Sequence, residues 1–312
     1  MITRDIIAIG ASSGGLDALC KLLAGLPGNL PASVLIVQHV GATSMLAQIF
    51  ANCGPLKVVT ARDREEIRRG QAYVAPGDQH LLINDGHIEL SKGARENRHR
   101  PSIDALFRST ARSYRSRVIA VVLSGALDDG AAGAFGVKAR GGLVVVQEPT
   151  DALVPDMPRA VLRAVDVDFC VRLSEMPALL TKLANQPVPA EKRKAERNKA
   201  ILKPERESST PSPFTCPDCS GPLYEVKNGK LSQYRCIVGH IFSPESLSEA
   251  HREALERALL TSLRTLHERM MIQQALAAKS SEEDRTLRPR FKEAAEAAAK
   301  DAALLREILE RI

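Results

Sequence analysis

The sequence predicts an α/β chain: a doubly wound, mostly parallel sheet with a small antiparallel hairpin, followed by a small cysteine-rich module and an α-helical hairpin. Three observations carry this. Short β-branched apolar runs alternate with helical patterns across residues 1–186. A stretch rich in Pro and charge interrupts them at 187–213. A Cys/His cluster at 214–243 then precedes a segment rich in Ala, Glu, Leu and Arg at 244–312.

The first strand is expected at residues 5–9 and the second at 33–37, with others at 117–123 and 142–146. Their continuous apolar runs suit a parallel sheet covered on both faces. Helices are expected between them at 16–24, 45–52, 103–113 and 131–139, the first stopped by Gly25. Residues 57–90 are more strand-like, and Asn84-Asp85-Gly86 between two apolar runs marks a hairpin. Strand–helix alternation implies right-handed crossovers and helices on both faces. Pro187, Pro189, Pro204, Pro211 and Pro213, set among Lys, Arg, Glu and Ser, read as a solvated linker. Beyond it, Leu255, Leu259, Leu263 and Leu266 mark one helical stripe. Phe291, Ala298, Leu305 and Ile312 mark another, with a break near 280–289. The two helices are expected to pack on each other.

Composition narrows the function classes. With 312 residues, 44% hydrophobic and 26% charged, the chain is an ordinary globular protein. Aromatic residues are 4% and Trp is absent, which argues against a surface for stacking nucleic-acid bases. A net charge of +6 favours an acidic partner at most. No apolar run has the length to cross a bilayer. Gly-Ala-Ser-Ser-Gly-Gly breaks the first apolar run too early for a signal peptide, so a cytoplasmic location is expected. Cys20, Cys53 and Cys170 are scattered and read as inert core thiols.

The strongest local signal is Ile9-Gly10-Ala11-Ser12-Ser13-Gly14-Gly15, between a strand and a helix. A dinucleotide fingerprint would need glycine where Ser12 stands, and a phosphate-binding loop would need a lysine that is missing. Gly10, Ser12 and Gly14 do satisfy G-x-S-x-G, a turn that exposes a serine oxygen at the end of a strand. The following helix N-terminus offers a positive dipole and amide donors to an oxyanion. The plainer alternative is a tight turn with Ser13 as N-cap. A nucleophilic serine needs a base and a group that orients the base. His39 ends the second strand, and Asp129 follows the strand that ends at Leu123. Both therefore fall on the sheet edge of Ser12 if the strands are parallel. The order Ser, His, Asp differs from the Ser, Asp, His of α/β-hydrolases, so likeness to that fold stops at the turn.

These segments resemble the catalytic domain of the chemotaxis protein-glutamate methylesterases. The matching stretches, in family order, are Ile9 to Gly15, Gln38-His39, Tyr73-Val74-Ala75-Pro76-Gly77-Asp78-Gln79-His80, Arg100-Pro101-Ser102-Ile103-Asp104-Ala105-Leu106-Phe107, Leu123-Ser124-Gly125 through Asp129-Gly130-Ala131-Ala132-Gly133, and Met157-Pro158-Arg159. The resemblance implies Ser12 as nucleophile, His39 as general base and acid, and Asp129 as the carboxylate orienting His39. It also implies hydrolysis of glutamate γ-methyl esters on a chemoreceptor-like protein, with glutamine deamidation as a companion activity and no catalytic cofactor. The chain departs from the family at several points. The best-known members carry an N-terminal phosphorylatable receiver; this sequence begins at the first strand and is expected to lack that switch, leaving room for a separate regulator. Ala126 stands where the family usually has Met, at a backbone donor implied for the oxyanion. Asp128 replaces the family's Asn, so two adjacent carboxylates compete for His39. Asp129 is favoured because Gly-Ala-Ala-Gly follows it.

Cys216-Pro-Asp-Cys219 and Cys236-Ile-Val-Gly-His240 supply three thiolates and an imidazole, the donor set of a closed structural Zn²⁺ site. So small a segment cannot build a core without such a staple. Lys227, Lys230 and Arg235 are offset by Asp218 and Glu225, so protein docking fits better than nucleic-acid binding. The ribbon and helical hairpin are expected to target or regulate the enzyme while leaving basal activity intact. The alternatives are a non-catalytic signalling scaffold and a nucleic-acid binder acting through the ribbon.

Overall fold

A computed structural model describes residues 2–39, 45–188, 209–228, 231–280 and 287–311. The first strand, β1 (Ile6–Ala11), is buried along its whole length. After it come α1 (Gly15–Gly25), β2 (Ser33–Gln38), α2 (Leu46–Ala51), β3 (Lys57–Thr60), β4 (Gln71–Val74), β5 (His80–Asn84), β6 (His87–Ser91) and α3 (Ile103–Tyr114). Then follow β7 (Val118–Val122), α4 (Ala131–Ala139), β8 (Leu143–Gln147), α5 (Asp156–Ala164), β9 (Phe169–Val171) and α6 (Met176–Ala184). Seven strands form one sheet in the order β3-β4-β2-β1-β7-β8-β9. Every neighbouring pair is parallel.

The period-2 alternation of β1 divides the core into two layers. Ile6 and Ala8 face Phe107 of α3, Val137 of α4 and Val161 of α5. Ile7 and Ile9 face Leu19 and Leu22 of α1, Phe50 of α2 and Leu180 of α6. Each such aliphatic or aromatic side chain contributes about 1.5–3 kcal/mol on burial, so β1 is held from both sides. The chain winds outward from β1 through β2 and later in the other direction from β7, so the winding reverses between β1 and β7. Open α/β sheets form their crevice at that reversal, beyond the strands' C-terminal ends.

The expected hairpin is β5–β6, closed by Asp85 and Gly86 with φ of 45° and 84°. Two left-handed residues are what a tight, correctly twisted two-residue turn requires.

The scattered cysteines differ from expectation. Cys20 of α1 and Cys53, just after α2, are joined in a disulfide with their Cα atoms 5.1 Å apart, within bridging range. Cys170, on the edge strand β9, is exposed rather than buried.

A second, antiparallel sheet holds β10 (Ser209–Thr215), β11 (Pro222–Asn228), β12 (Leu231–Cys236) and β13 (Ile241–Phe242). Residues 209–213, read as linker, therefore lie in a strand. Pro211 and Pro213 are tolerated because β10 is an edge strand. At the other end of the expected linker, Pro187 pairs with Thr3 and the Val188 N–H donates to the Ile2 carbonyl at 2.8 Å; residues 189–208 fall outside the described residues. The ribbon is not set apart from the α/β fold: one compact unit runs through Leu247. Ile241 pairs with Glu96, and the Asn97 N–H donates to the Ile241 carbonyl at 2.7 Å. A module too small for its own core gains burial this way.

The second unit, Ser248–Ile312, holds most of α7 (Pro244–Lys279) and all of α8 (Leu287–Leu309). On α8, Ala295, Ala298 and Ala302 are buried, flanked by half-buried Phe291 and Leu305. That 3–4 spacing is a helix-packing seam, and Arg306 reaches His267 of α7. Leu255 departs from its expected stripe, being 51% exposed. Ile312 lies outside the described residues. Among those described, no helix is long and apolar enough to cross a membrane.

Candidate active site

Ser12, His39 and Asp129 follow β1, β2 and β7, which are adjacent in the sheet. The ladder continues just past the strands: the Ser12 N–H donates to the Ser124 carbonyl at 2.9 Å, and the His39 N–H to Ala11 at 3.1 Å. The three segments therefore end at one level. Gly14 makes the serine turn possible. Its φ is +74°, and a Cβ there would lie 2.7 Å from Ser124 Oγ. Gly14, not Ser13, is the N-cap of α1, and no side chain caps that end. The Gly15 N–H at the start of α1 donates to the Ser12 carbonyl at 2.8 Å, so the positive end of the helix lies beside the Ser12 turn, where a developing anion is favoured. The Gly125 N–H is already bonded to the Val154 carbonyl at 2.9 Å.

The side chains form a relay. Ser12 Oγ lies 3.1 Å from His39 Nδ1, and His39 Nε2 lies 2.8 Å from Asp129 Oδ2. With Asp129 ionised, the network assigns the imidazole proton to Nε2. Nδ1 is then left to accept the Ser12 hydroxyl. His39 and Asp129 have 5% and 3% of their side chains exposed, so little water competes.

Asp129 sits at the N-terminus of α3. Its Oδ2 also accepts the Ile103 N–H at 2.7 Å. Its Oδ1 accepts from the Ser102 hydroxyl at 2.9 Å, the Asp104 N–H at 3.1 Å and Asn97 Nδ2 at 3.1 Å. Burial opposes its charge, but the His39 hydrogen bond and neighbouring positive potential outweigh it. The carboxyl is held well below the ordinary range. Asp104 answers in kind: its Oδ1 accepts the Gly130 and Gly133 N–H groups at 3.0 and 2.6 Å, where α4 begins. Each of these helix N-termini thus holds a carboxylate supplied by the other's segment. Burial and the Asp129 charge push Asp104 upward. A Cβ at Gly133 would lie 2.6 Å from the Phe107 Cβ, so Gly-Ala-Ala-Gly is what lets α4 approach α3.

Asp128 turns the other way. Its Oδ1 accepts the Ser243 hydroxyl at 2.8 Å, and burial raises its carboxyl to about 6. Of the two adjacent carboxylates, Asp129 is the one that faces His39.

Several neighbours complete the site. His99 stacks on His39 with ring centroids 3.6 Å apart. Burial, then the neighbouring His39, push His99 down to about 3, so it stays neutral. His80 donates Nε2–H to the Ala94 carbonyl at 3.0 Å and accepts the Ser102 N–H on Nδ1 at 3.2 Å. His80 and Ser102 lay within the stretches that carried the resemblance. Asn97 and His99 lay outside them, and only the fold brings them in.

In the ribbon, Cys216, Cys219, Cys236 and His240 place their ligand atoms within 4.8 Å of one another. Cys219 and Cys236 Sγ are 3.7 Å apart, and His240 Nδ1 lies 3.6 Å and 3.4 Å from Cys216 and Cys236 Sγ. Tetrahedral Zn²⁺ requires sulfur–sulfur and sulfur–nitrogen separations of about 3.8 and 3.6 Å, so the donor set fits. Burial lifts the Cys216 thiol to about 12, which leaves a thiolate there dependent on a cation. His240 Nε2 lies 3.8 Å from Asp218, a partner that would fix the ring.

Residues 7–180 match the family model for CheB methylesterase, a span that ends before the ribbon. A Leptospira interrogans protein provisionally named protein-glutamate methylesterase/protein-glutamine glutaminase is 40% identical over 182 residues, 57% of this chain and 94% of that protein. A Methanosarcina mazei protein of the same name, numbered 2, is 37% identical over 190 residues; the chain spans 52% of its length. The crystal structure of the Thermotoga maritima CheB methylesterase catalytic domain is 35% identical with a TM-score of 0.56, covering 58% of this chain and 100% of that one.

Proposed function

The chain belongs to the CheB methylesterase family, and from that premise we propose that it hydrolyses glutamate γ-methyl esters on a methylated, chemoreceptor-like protein. Ser12 is the nucleophile, His39 the general base and acid, and Asp129 the carboxylate that orients His39. The observation that carries this reading is the Ser12–His39–Asp129 relay at 3.1 and 2.8 Å.

His39 Nδ1 takes the Ser12 proton as Oγ attacks the ester carbonyl carbon. The oxyanion of the tetrahedral intermediate is stabilised by backbone donors at the start of α1. As the intermediate collapses, the C–OCH₃ bond breaks and the His39 proton passes to the leaving oxygen, giving methanol and an acyl-Ser12. Water attacks that ester with His39 again as base, and the glutamate leaves as Ser12 regains its proton. Asp129 stays ionised throughout and holds the imidazolium. A side-chain amide follows the same route with ammonia leaving, which accounts for glutamine deamidation. The pathway is a chemotaxis-type signalling pathway. Zn²⁺ held by Cys216, Cys219, Cys236 and His240 Nδ1 would fill a closed structural site and fold the ribbon; no step of ester hydrolysis runs through it.

The test is methanol release from receptor membranes carrying labelled methyl esters, together with labelling of Ser12 by a fluorophosphonate. A signalling scaffold would give neither.

A further inference from the structure

The family-matched span ends at residue 180, yet a turn sixty-odd residues beyond it reaches the carboxylate end of the relay. Residues 243–246 read Ser-Pro-Glu-Ser and open α7. Ser243 is the N-cap by chemistry: the Ser246 N–H donates to Ser243 Oγ at 2.9 Å, and the Ser243 N–H to Ser246 Oγ at 2.9 Å. Pro244 follows at the first helical position, where a missing N–H costs nothing. The two hydroxyl oxygens lie 2.9 Å apart, and each also reaches a group outside the cap. The Ser243 hydroxyl donates to Asp128 at 2.8 Å. The Ser246 hydroxyl donates to Asn97 Oδ1 at 3.1 Å, and the Ser243 N–H reaches the same oxygen at 3.0 Å.

Asn97 relays this inward. It is 2% exposed, and Ser246 is fully buried. Its backbone N–H is fixed by the Ile241 carbonyl of β13. With Oδ1 held by the turn, Nδ2 is committed to Asp129 Oδ1 at 3.1 Å and Asp104 Oδ2 at 2.8 Å. Every polar group of Asn97 named here has a partner. The partners on one side come from the C-terminal extension, and those on the other are buried carboxylates.

We propose that Ser246 and Asn97 are positioning residues for the esterase: the turn at 243–246 holds the Asn97 carboxamide against Asp129 and so fixes the carboxylate that orients His39. The inference rests on the esterase reading above. It makes the segment after the ribbon part of the active-site support, where the sequence reading had it dispensable for basal activity. Neither residue touches substrate, so its loss acts on turnover and leaves substrate binding alone.

The experiment is a double-mutant cycle in the full chain, read as kcat and KM for methanol release from methyl-labelled receptor membranes. Asn97→Ala is expected to lower kcat about 10- to 100-fold and Ser246→Ala about 3- to 10-fold, as for lost hydrogen bonds at a buried charge. KM should stay within about twofold in both. Because Ser246 acts through Asn97, Ser246→Ala should change kcat less than about twofold in the Asn97→Ala background. Thermal unfolding confirms that each variant is folded. If Ser246→Ala is not, Ser246→Cys, which is slightly larger and weakens the hydrogen bond, takes its place. Independent, additive effects, an unchanged kcat for Ser246→Ala, or a change confined to KM would each overturn the proposal. A wild-type chain without turnover would instead remove the esterase reading beneath it.

Discussion

His39 lies flat against His99, with ring centroids 3.6 Å apart and 11° between the planes. The His39 imidazole is therefore held by its edge and by its face: Asp129 fixes its direction and His99 its plane. His99 is suited to this because burial keeps it neutral, with its pKa pushed down to about 3. It does not compete for the proton that, in the proposed mechanism, His39 takes from Ser12.

Replacing that face tests it. Aromatic pairs contribute about 0.5–1.5 kcal/mol beyond burial. His99→Ala is accordingly expected to lower kcat about 10-fold, and His99→Phe, which keeps a stacking ring, by no more than about threefold. Equal losses in the two variants would show that stacking is not what His99 supplies.

Asp128 governs a pH dependence of stability. Its carboxyl rises from an ordinary 3.8 to about 6, chiefly through burial. Between those values the folded state binds more protons than the unfolded one, so stability falls as pH rises through that window. The contribution is fully present below pH 4 and lost above pH 6. Asp128→Asn keeps an acceptor for Ser243 and cannot ionise. It is expected to gain about 1–2 kcal/mol at pH 7.5 and to flatten the profile between pH 4 and 6. Urea unfolding at several pH values measures this, and an unchanged slope would refute it.

The metal reading predicts about one Zn²⁺ per chain, from three thiolates and an imidazole. Chelation is expected to lower the melting temperature of the chain, and Cys236→Ser to abolish stoichiometric zinc in elemental analysis. A metal-free chain with the same melting temperature would contradict it.

The fold was legible because β1, β2, β7 and β8 are buried on both faces. Their sequences are unbroken apolar runs, and the ends of α1 to α4 moved by only a residue or two from expectation, while α5, α6 and the short strand β9 were not anticipated. Ser12 was legible for a local reason, the G-x-S-x-G turn. His39 and Asp129 were legible because parallel strands end on one edge. The relation of Cys20 to Cys53 was not, since it depends on how α1 packs beside α2. Nor was the place of the ribbon. Its Pro-rich approach reads as a tether, and nothing local announces that Ile241 will pair with Glu96 or that Ser243 and Ser246 will reach Asn97. The choice between Asp128 and Asp129 needed the same long-range information: one carboxylate is directed to Ser243 and the other to the N-terminus of α3.

The central claim is that Ser12 carries the chemistry through His39. Methanol release from methyl-labelled receptor membranes should fall by about 10⁴-fold or more in Ser12→Ala, as it does when serine hydrolases lose their nucleophile. The variant should keep the wild-type melting temperature. Turnover near that of the wild type in the folded Ser12→Ala protein would contradict the account.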